Sequence, residues 1–200
     1  MPDDRVATRR GAIVIPVKAF DKAKERLAGA LSNAERSALA QRTATRVVEV
    51  AKTLPQFDEV VVVCDDHETA QWAHQLGVTA LVSSQPGLNA AVTHAVAYTR
   101  TTHDWVAVCH ADIADPSGLT TLAPPPRQSI VLVPDRHGLG TNVLALNTSD
   151  DFTFHYGPTS CADHTAEAAR RGLAITHLRD AGLALDLDTP DDVALYNTPR

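Results

Sequence analysis

"EVVVVCDDHETAQWAHQLGVTALVS" (residues 59–83) decides the fold. Two short runs rich in Val, Leu and Ala, 59–64 and 79–83, flank a stretch, 67–76, whose apolar positions recur with helical spacing. Strands that are apolar at nearly every position and joined through a helix belong to a parallel sheet buried on both faces. The alternation continues outward from this unit. Further strand-like runs lie at 12–17, 105–109, 129–134, 142–146, 173–178 and 183–187, and helical periodicity at 33–54, 88–100, 160–171 and 190–196. The fold class is therefore α/β, a three-layer sandwich. Runs 129–134 and 142–146 are joined by a short link containing glycine, which predicts an antiparallel excursion and hence a mixed, mostly parallel sheet. "LAPPPRQ" (122–128) reads as a stiff connecting loop, and residues 1–10 as a flexible tail ahead of a single domain over 11–200.

Composition narrows the function classes. A chain of 200 residues with 44% hydrophobic and 21% charged content forms one soluble globule with a sizeable core. A net charge of -6 without any Lys/Arg run argues against nucleic acid or an anionic membrane surface as partner. No stretch approaches the roughly 18 apolar residues of a membrane span, and "MPDDRVATRR" has no apolar signal core, so a cytoplasmic location is expected. Cys64, Cys109 and Cys161 are widely separated and form no CxxC pair, which suggests neither a disulfide framework nor a thiolate zinc site. Cys64 and Cys109 each end an apolar run and read as buried thiols.

Ligands of open α/β sheets bind beyond the carboxyl ends of the strands, so the chemistry should follow the apolar runs. After the first strand come Lys18, Lys22, Lys24 and Arg26. These read either as a solvated basic turn or as cations for a triphosphate, with Arg as a bidentate fork and Lys as a point charge. Neither G-x-x-x-x-G-K-[ST] nor G-x-G-x-x-G is present, so any nucleotide is held in another way. In "HADIADP" (110–116), Asp115 before Pro116 fits a helix cap, His110 a local hydrogen-bonder, and Asp112 is left as a candidate oxygen ligand for a hard cation. The link "PDRHGLGTN" (134–142) fits a plain turn, or a backbone that approaches phosphate closely with Thr141 as donor. Ser160 with Asp163 reads as a capping-box-like helix start, and Gly157-Pro158 ahead of it should leave the first amides facing outward, ready for an anion.

"LALDLDTPDD" (183–192) carries four aspartates. Thr189-Pro190-Asp191-Asp192 fits the opening of a last helix, which makes Asp191 and Asp192 structural. Alternation puts Leu183, Leu185 and Leu187 on one face, with Asp186 and Asp188 on the other about 7 Å apart, as a metal site needs.

Six blocks, "IPVKxxxxAKxRL", "GLNAAV" (87–92), "HADI" (110–113), "PDRHGLGTNVL" (134–144), "FHYGPTSCADH" (154–164) and "LDLDTPDD" (185–192), together resemble the 2-phospho-L-lactate / phosphoenolpyruvate guanylyltransferases of deazaflavin coenzyme F(420) biosynthesis, in order and spacing over nearly the whole chain. "DRxGxGTN" and "GPxS" are the specific blocks; "DxDTP" and the first lysines occur more widely in nucleotidyltransferases. The resemblance implies a Rossmann-like, GT-A-like nucleotidyltransferase fold, GTP as co-substrate, Mg²⁺ as cofactor and, as acceptor, a three-carbon phospho-acid: phosphoenolpyruvate or 2-phospho-L-lactate, with 3-phosphoglycerate a further candidate. It would place the metal on Asp112 and Asp186, with Asp188 as second ligand or neighbour. The phospho-acid would lie on Thr141, Gly157 and Ser160, the guanine nucleotide by Leu88 and Asn89, and the triphosphate on the catalytic cations Lys18, Lys24 and Arg26. Hand-over of a labile product to the downstream pathway transferase is expected, and a homodimer is one expected assembly. The family usually reads "ADLP" where this chain has "ADIA", with Ala114 in the proline position. Two rival readings are a nucleotidyltransferase making a molybdopterin or sugar nucleotide, and a catalytically silent nucleotide-binding regulator.

Overall fold

The computed structural model describes residues 9–197, so most of the expected tail lies outside the described residues. Arg9 and Arg10 run into the first strand already tied down. The Arg9 guanidinium donates to the carbonyl of Pro125 and to the side-chain oxygen of Asn147, and the Arg10 amide to Asp104.

Seven strands form one sheet: β1 (Gly11–Val17), β2 (Glu59–Cys64), β3 (Thr79–Val82), β4 (Trp105–Cys109), β5 (Ser129–Pro134), β6 (Thr141–Asn147) and β7 (Ala174–His177). Their spatial order is β3-β2-β1-β4-β6-β5-β7. Only β6 runs antiparallel, to β4 on one side and β5 on the other; β7 returns parallel to β5. The antiparallel excursion thus falls where the glycine-containing link predicts it. Asp135 builds that link, its Oδ1 accepting the amides of His137 and Leu139, while Gly138 takes φ +73°. Both glycine-rich features of the hairpin are accounted for by the turn: a Cβ on Gly140 would lie 2.9 Å from Asp135 Oδ2.

Six helices lie among the described residues, α1 (Asn33–Thr53), α2 (His67–Gln75), α3 (Leu88–Thr99), α4 (Ser160–Arg170), α5 (Ala181–Ala184) and α6 (Pro190–Tyr196), and all but α5 follow the predicted periodicity closely. Their starts are chemical. Ser32 and Glu35 close a capping box on α1, and Thr189 and Asp192 close another on α6 with Pro190 at the first position. Strand residues alternate between two buried cores. Ile13, Ile15, Val60 and Val62 pack with Val47, Val48 and Ala51 of α1 and Trp72 of α2, whereas Ala12, Val14, Val61 and Val63 pack with Val92 and Val96 of α3 and Ala168 of α4. Burial on both faces is the reason these strands read as continuous apolar runs.

One expected element is absent. Residues 183–187 do not form a strand: Ala181–Ala184 make a helical turn, and 185–187 run extended with a single bridge from Asp186 to Ile113. Asp180 is the cause, because its Oδ1 accepts the amides of Gly182 and Leu183 and starts a helix one residue later. Leu183, Leu185 and Leu187 are buried nonetheless.

Candidate active site

The ends of β1, β4 and β6 and the 185–188 segment open onto one place. The segment after β4 and the 185–188 segment are stitched by three backbone contacts: the Ala114 amide donates to Leu185, the Leu187 amide to Asp112, and Ile113 bridges Asp186. Ala114 supplies one of these ties through an N–H that a proline at this position would lack. This stitching aims Asp112, Asp186 and Asp188 at one another, with carboxylate oxygens all within 4.8 Å. The separation expected from strand alternation is replaced by convergence from two loops.

Lys24 closes the cluster. Its side chain is only 5% exposed, and its ammonium donates to Asp112 at 2.5 Å and to Asp188 at 3.1 Å. To reach inward, Lys24 takes the left-handed conformation at φ 58°, a strained choice for a lysine. Burial by itself would lower the pKa of this ammonium, but Asp112 and Asp188 outweigh it and hold the group charged. Burial alone would raise the Asp112 pKa; the Lys24 ammonium beside it holds it below the usual carboxylate range. Asp186 is pushed up, by burial and then by the charge of Asp112. Three carboxylates against one buried cation leave excess negative charge, and Asp112 Oδ1 is buried without a hydrogen-bond partner. Among the described residues, this is the arrangement that fits a hard divalent cation.

Two groups hold the cluster from behind. Asn142 Nδ2 donates to the carbonyls of Leu183 and Ala184 and to Asp186 Oδ1. Asp192 accepts the amides of Asp188 and Thr189 and pairs with Arg136 at 2.8 Å. Asp192 is thus structural, as predicted, and Arg136 ties the β5–β6 hairpin to the aspartate segment.

Thr141 and Ser160 meet beside this cluster. The Thr141 amide donates to Ser160 Oγ at 2.9 Å, and both residues are buried. The helix start differs from expectation by one residue. Thr159 is the cap position and its hydroxyl donates to Asp163, while Ser160 is the first helical residue. The outward-facing amides expected here are also taken: Ser160 donates to the carbonyl of Gly157 and Cys161 to that of Leu139. Leu139 at the hairpin tip takes up the Cys161 donor, and the turn at Gly157 takes up that of Ser160. Gly157 stays exposed, and nothing stands within 4 Å of where its Cβ would be. His164, which the sequence reading passed over, bonds Thr141 Oγ1 through Nδ1 at 3.1 Å. It lies four residues beyond Ser160 on the same helix face, and that spacing was the available signal.

Of the remaining candidates, Arg26 touches the edge of the cluster and Lys18, Leu88 and Asn89 pair elsewhere or face outward. Lys18 is half exposed and pairs with Glu25; Arg26 is largely exposed and reaches Asp188 at 3.4 Å. Leu88 is exposed at the start of α3. The Asn89 side chain clips α3 to the 154–157 segment, accepting from the Tyr156 amide and donating to the Tyr156 carbonyl.

Residues 11–195 match the family model described as guanylyl transferase CofC like. The chain belongs to this family. A phosphoenolpyruvate guanylyltransferase of Conexibacter woesei is 37% identical over 189 residues, covering 90% of this chain and 84% of the relative. A 2-phospho-L-lactate guanylyltransferase of Methanothermobacter thermautotrophicus is 32% identical, covering 90% and 81%. Among solved structures, a protein described as a nucleotide-diphospho-sugar transferase from Desulfovibrio desulfuricans G20 superposes with a TM-score of 0.75 at 17% identity, over 94% of this chain and 86% of that one. A 4-diphosphocytidyl-2C-methyl-D-erythritol synthase gives 0.64 at 16% identity, over 94% and 96%. These structural likenesses establish the nucleotidyltransferase fold of the CofC-like chain. No helix among its described residues is long and apolar enough to cross a membrane.

Proposed function

We propose that this CofC-like protein transfers a guanylyl group from GTP to the phosphate of phosphoenolpyruvate or 2-phospho-L-lactate in the cytoplasm, releasing pyrophosphate, as a step of coenzyme F(420) biosynthesis that feeds the downstream transferase. The observation that carries this reading is a three-carboxylate cluster with an unpartnered buried oxygen, set beside two buried hydroxyls at the ends of β4 and β6.

An acceptor phosphate oxygen bonds to the α-phosphorus of GTP as the bond from that phosphorus to the β-phosphate oxygen breaks. No general base is required, because a phosphomonoester with a second pKa of about 6 is already largely dianionic at neutral pH. The obstacle is repulsion between the two anions, about 4 kcal/mol per pair of unit charges 4 Å apart at an effective dielectric near 20. Mg²⁺ held by Asp112, Asp186 and Asp188 would offset that repulsion and the charge growing on the α-phosphate and leaving group. Lys18, Lys24 and Arg26 hold the triphosphate, and Leu88 and Asn89 border the guanine nucleotide. Thr141, Gly157 and Ser160 hold the acceptor's phosphate, which aligns nucleophile and phosphorus.

Pyrophosphate release from GTP, ATP, CTP and UTP, each with phosphoenolpyruvate, 2-phospho-L-lactate and 3-phosphoglycerate, tests the reading. Release is expected from GTP with one of the first two acids. Release that needs no acid, or that prefers another nucleotide, would contradict it.

A further inference from the structure

The two buried hydroxyls at the acceptor end are each engaged only as acceptors. Ser160 Oγ accepts the Thr141 amide, and Ser160 is 2% exposed. Thr141, 1% exposed, shares a hydrogen bond between Oγ1 and Nδ1 of His164. Which partner donates is settled at the other ring nitrogen. The His155 backbone N–H donates to His164 Nε2 at 2.9 Å, so Nε2 carries no proton. In a neutral imidazole the proton is then on Nδ1, and Nδ1–H donates to Thr141 Oγ1. His164 is fully buried, and burial, then His155, lower its pKa to about 4, so the ring is neutral at working pH. Neither the Ser160 nor the Thr141 hydroxyl hydrogen has an acceptor among the described residues. A buried O–H left in this state is a donor waiting for an acceptor group.

We propose that His164 is a positioning residue: by donating from Nδ1 it fixes Thr141 as a hydrogen-bond donor toward the acceptor's phosphate. The opposite tautomer would take the Thr141 hydrogen for the ring and present a lone pair to an anion. The backbone amide of His155 enforces the productive polarity, in the same segment that leads to Gly157. This inference rests on the proposed placement of the phosphate at Thr141 and Ser160.

Asparagine and glutamine separate the two halves of the ring. His164→Asn puts an amide N–H near the Nδ1 position, whereas His164→Gln puts a carbonyl near Nε2 and leaves Thr141 without its donor. His164→Gln is expected to raise the phosphoenolpyruvate KM at least about tenfold with the GTP KM unchanged, and His164→Asn to stay within about threefold of the parent. Equal effects in both variants, or an unchanged KM in folded His164→Gln, would overturn the proposal. A second readout uses the unaltered protein: histidine nitrogen NMR should show His164 protonated on Nδ1 with and without phosphoenolpyruvate, and protonation on Nε2 would overturn it even if no variant folds. Thr141→Val separates this inference from the reading beneath it. If it leaves the acceptor KM unchanged, the phosphate placement itself fails and the inference with it; if it raises that KM while His164→Gln does not, the inference alone fails.

Discussion

Replacing Lys24 by methionine removes the one buried cation among three carboxylates while keeping the shape of the side chain. The ammonium lies 2.5 Å from Asp112 and 3.1 Å from Asp188. At an effective dielectric of about 20 the two contacts are worth roughly 7 and 5 kcal/mol before desolvation, and breaking a fully buried pair costs about 3–5 kcal/mol net. The carboxylates are not fully buried, at 24% and 35% exposure, so water takes up part of the loss. About 2 kcal/mol is left, which for a chain of this size lowers Tm by about 4–8 °C. The assay is thermal melting in chelator at pH 8, where the carboxylates stay ionised, followed by Mg²⁺ or Mn²⁺ addition. Lys24→Met is expected to melt lower in chelator and to gain more from the metal than the parent, because the cluster's excess negative charge has grown by one. Turnover is expected to fall even at saturating metal, since the triphosphate loses a cation. Equal melting in chelator, or an equal gain on metal addition, would refute the placement of Lys24 at the cation locus.

Asp112→Asn and Asp186→Asn are each expected to lose at least about a hundredfold in guanylyl transfer while circular dichroism stays native; near-normal turnover at saturating Mg²⁺ in either would refute the ligand assignment. Stability should fall on acidification from pH 6.5 toward 4. In that window the unfolded chain protonates His164 while the fold keeps it neutral, with its pKa lowered to about 4, a difference of about 3 kcal/mol; urea titrations across the window should lose this slope in His164→Gln. Gly11→Ala should destabilise by at least about 2 kcal/mol, because a Cβ would sit 2.3 Å from the Gln56 carbonyl and 2.6 Å from the Trp105 ring; an unchanged denaturation midpoint would show that the backbone yields there. Ala114→Pro, which restores the family residue but removes the N–H that ties Ala114 to Leu185, should weaken Mg²⁺ activation by a few fold, read from the metal dependence of the rate.

Local pattern carried the fold wherever local physics decides it. Ala12 and Val14 pack on one face of β1 while Ile13 and Ile15 pack on the other, and a run so buried is apolar throughout. Thr189-Pro190-Asp191-Asp192 announced its cap and formed it. The errors arose where a neighbouring side chain redirected the backbone. "LALDL" has the period of a strand, yet Asp180, just outside it, captured two amides and drew its first two residues into a helical turn, leaving 185–187 extended. Thr159 and Ser160 both carry hydroxyls, so capping chemistry alone could not say which would cap and which would turn to Thr141. The aspartates of the site were legible as acids after strands, but their convergence depends on the backbone stitching of two loops remote in sequence. Lys24 was legible as a cation and not as an occupant of the cluster, because nothing local signals a lysine in the left-handed region.

The central claim is that the acceptor's own phosphate oxygen attacks the α-phosphorus of GTP. Phosphoenolpyruvate carrying oxygen-18 throughout its phosphate, incubated with GTP and Mg²⁺ and analysed by mass spectrometry of the products, tests it directly. The account requires every labelled oxygen to appear in the guanylylated adduct and none in the pyrophosphate. Label in the pyrophosphate, or an adduct that has lost labelled oxygen, would contradict it.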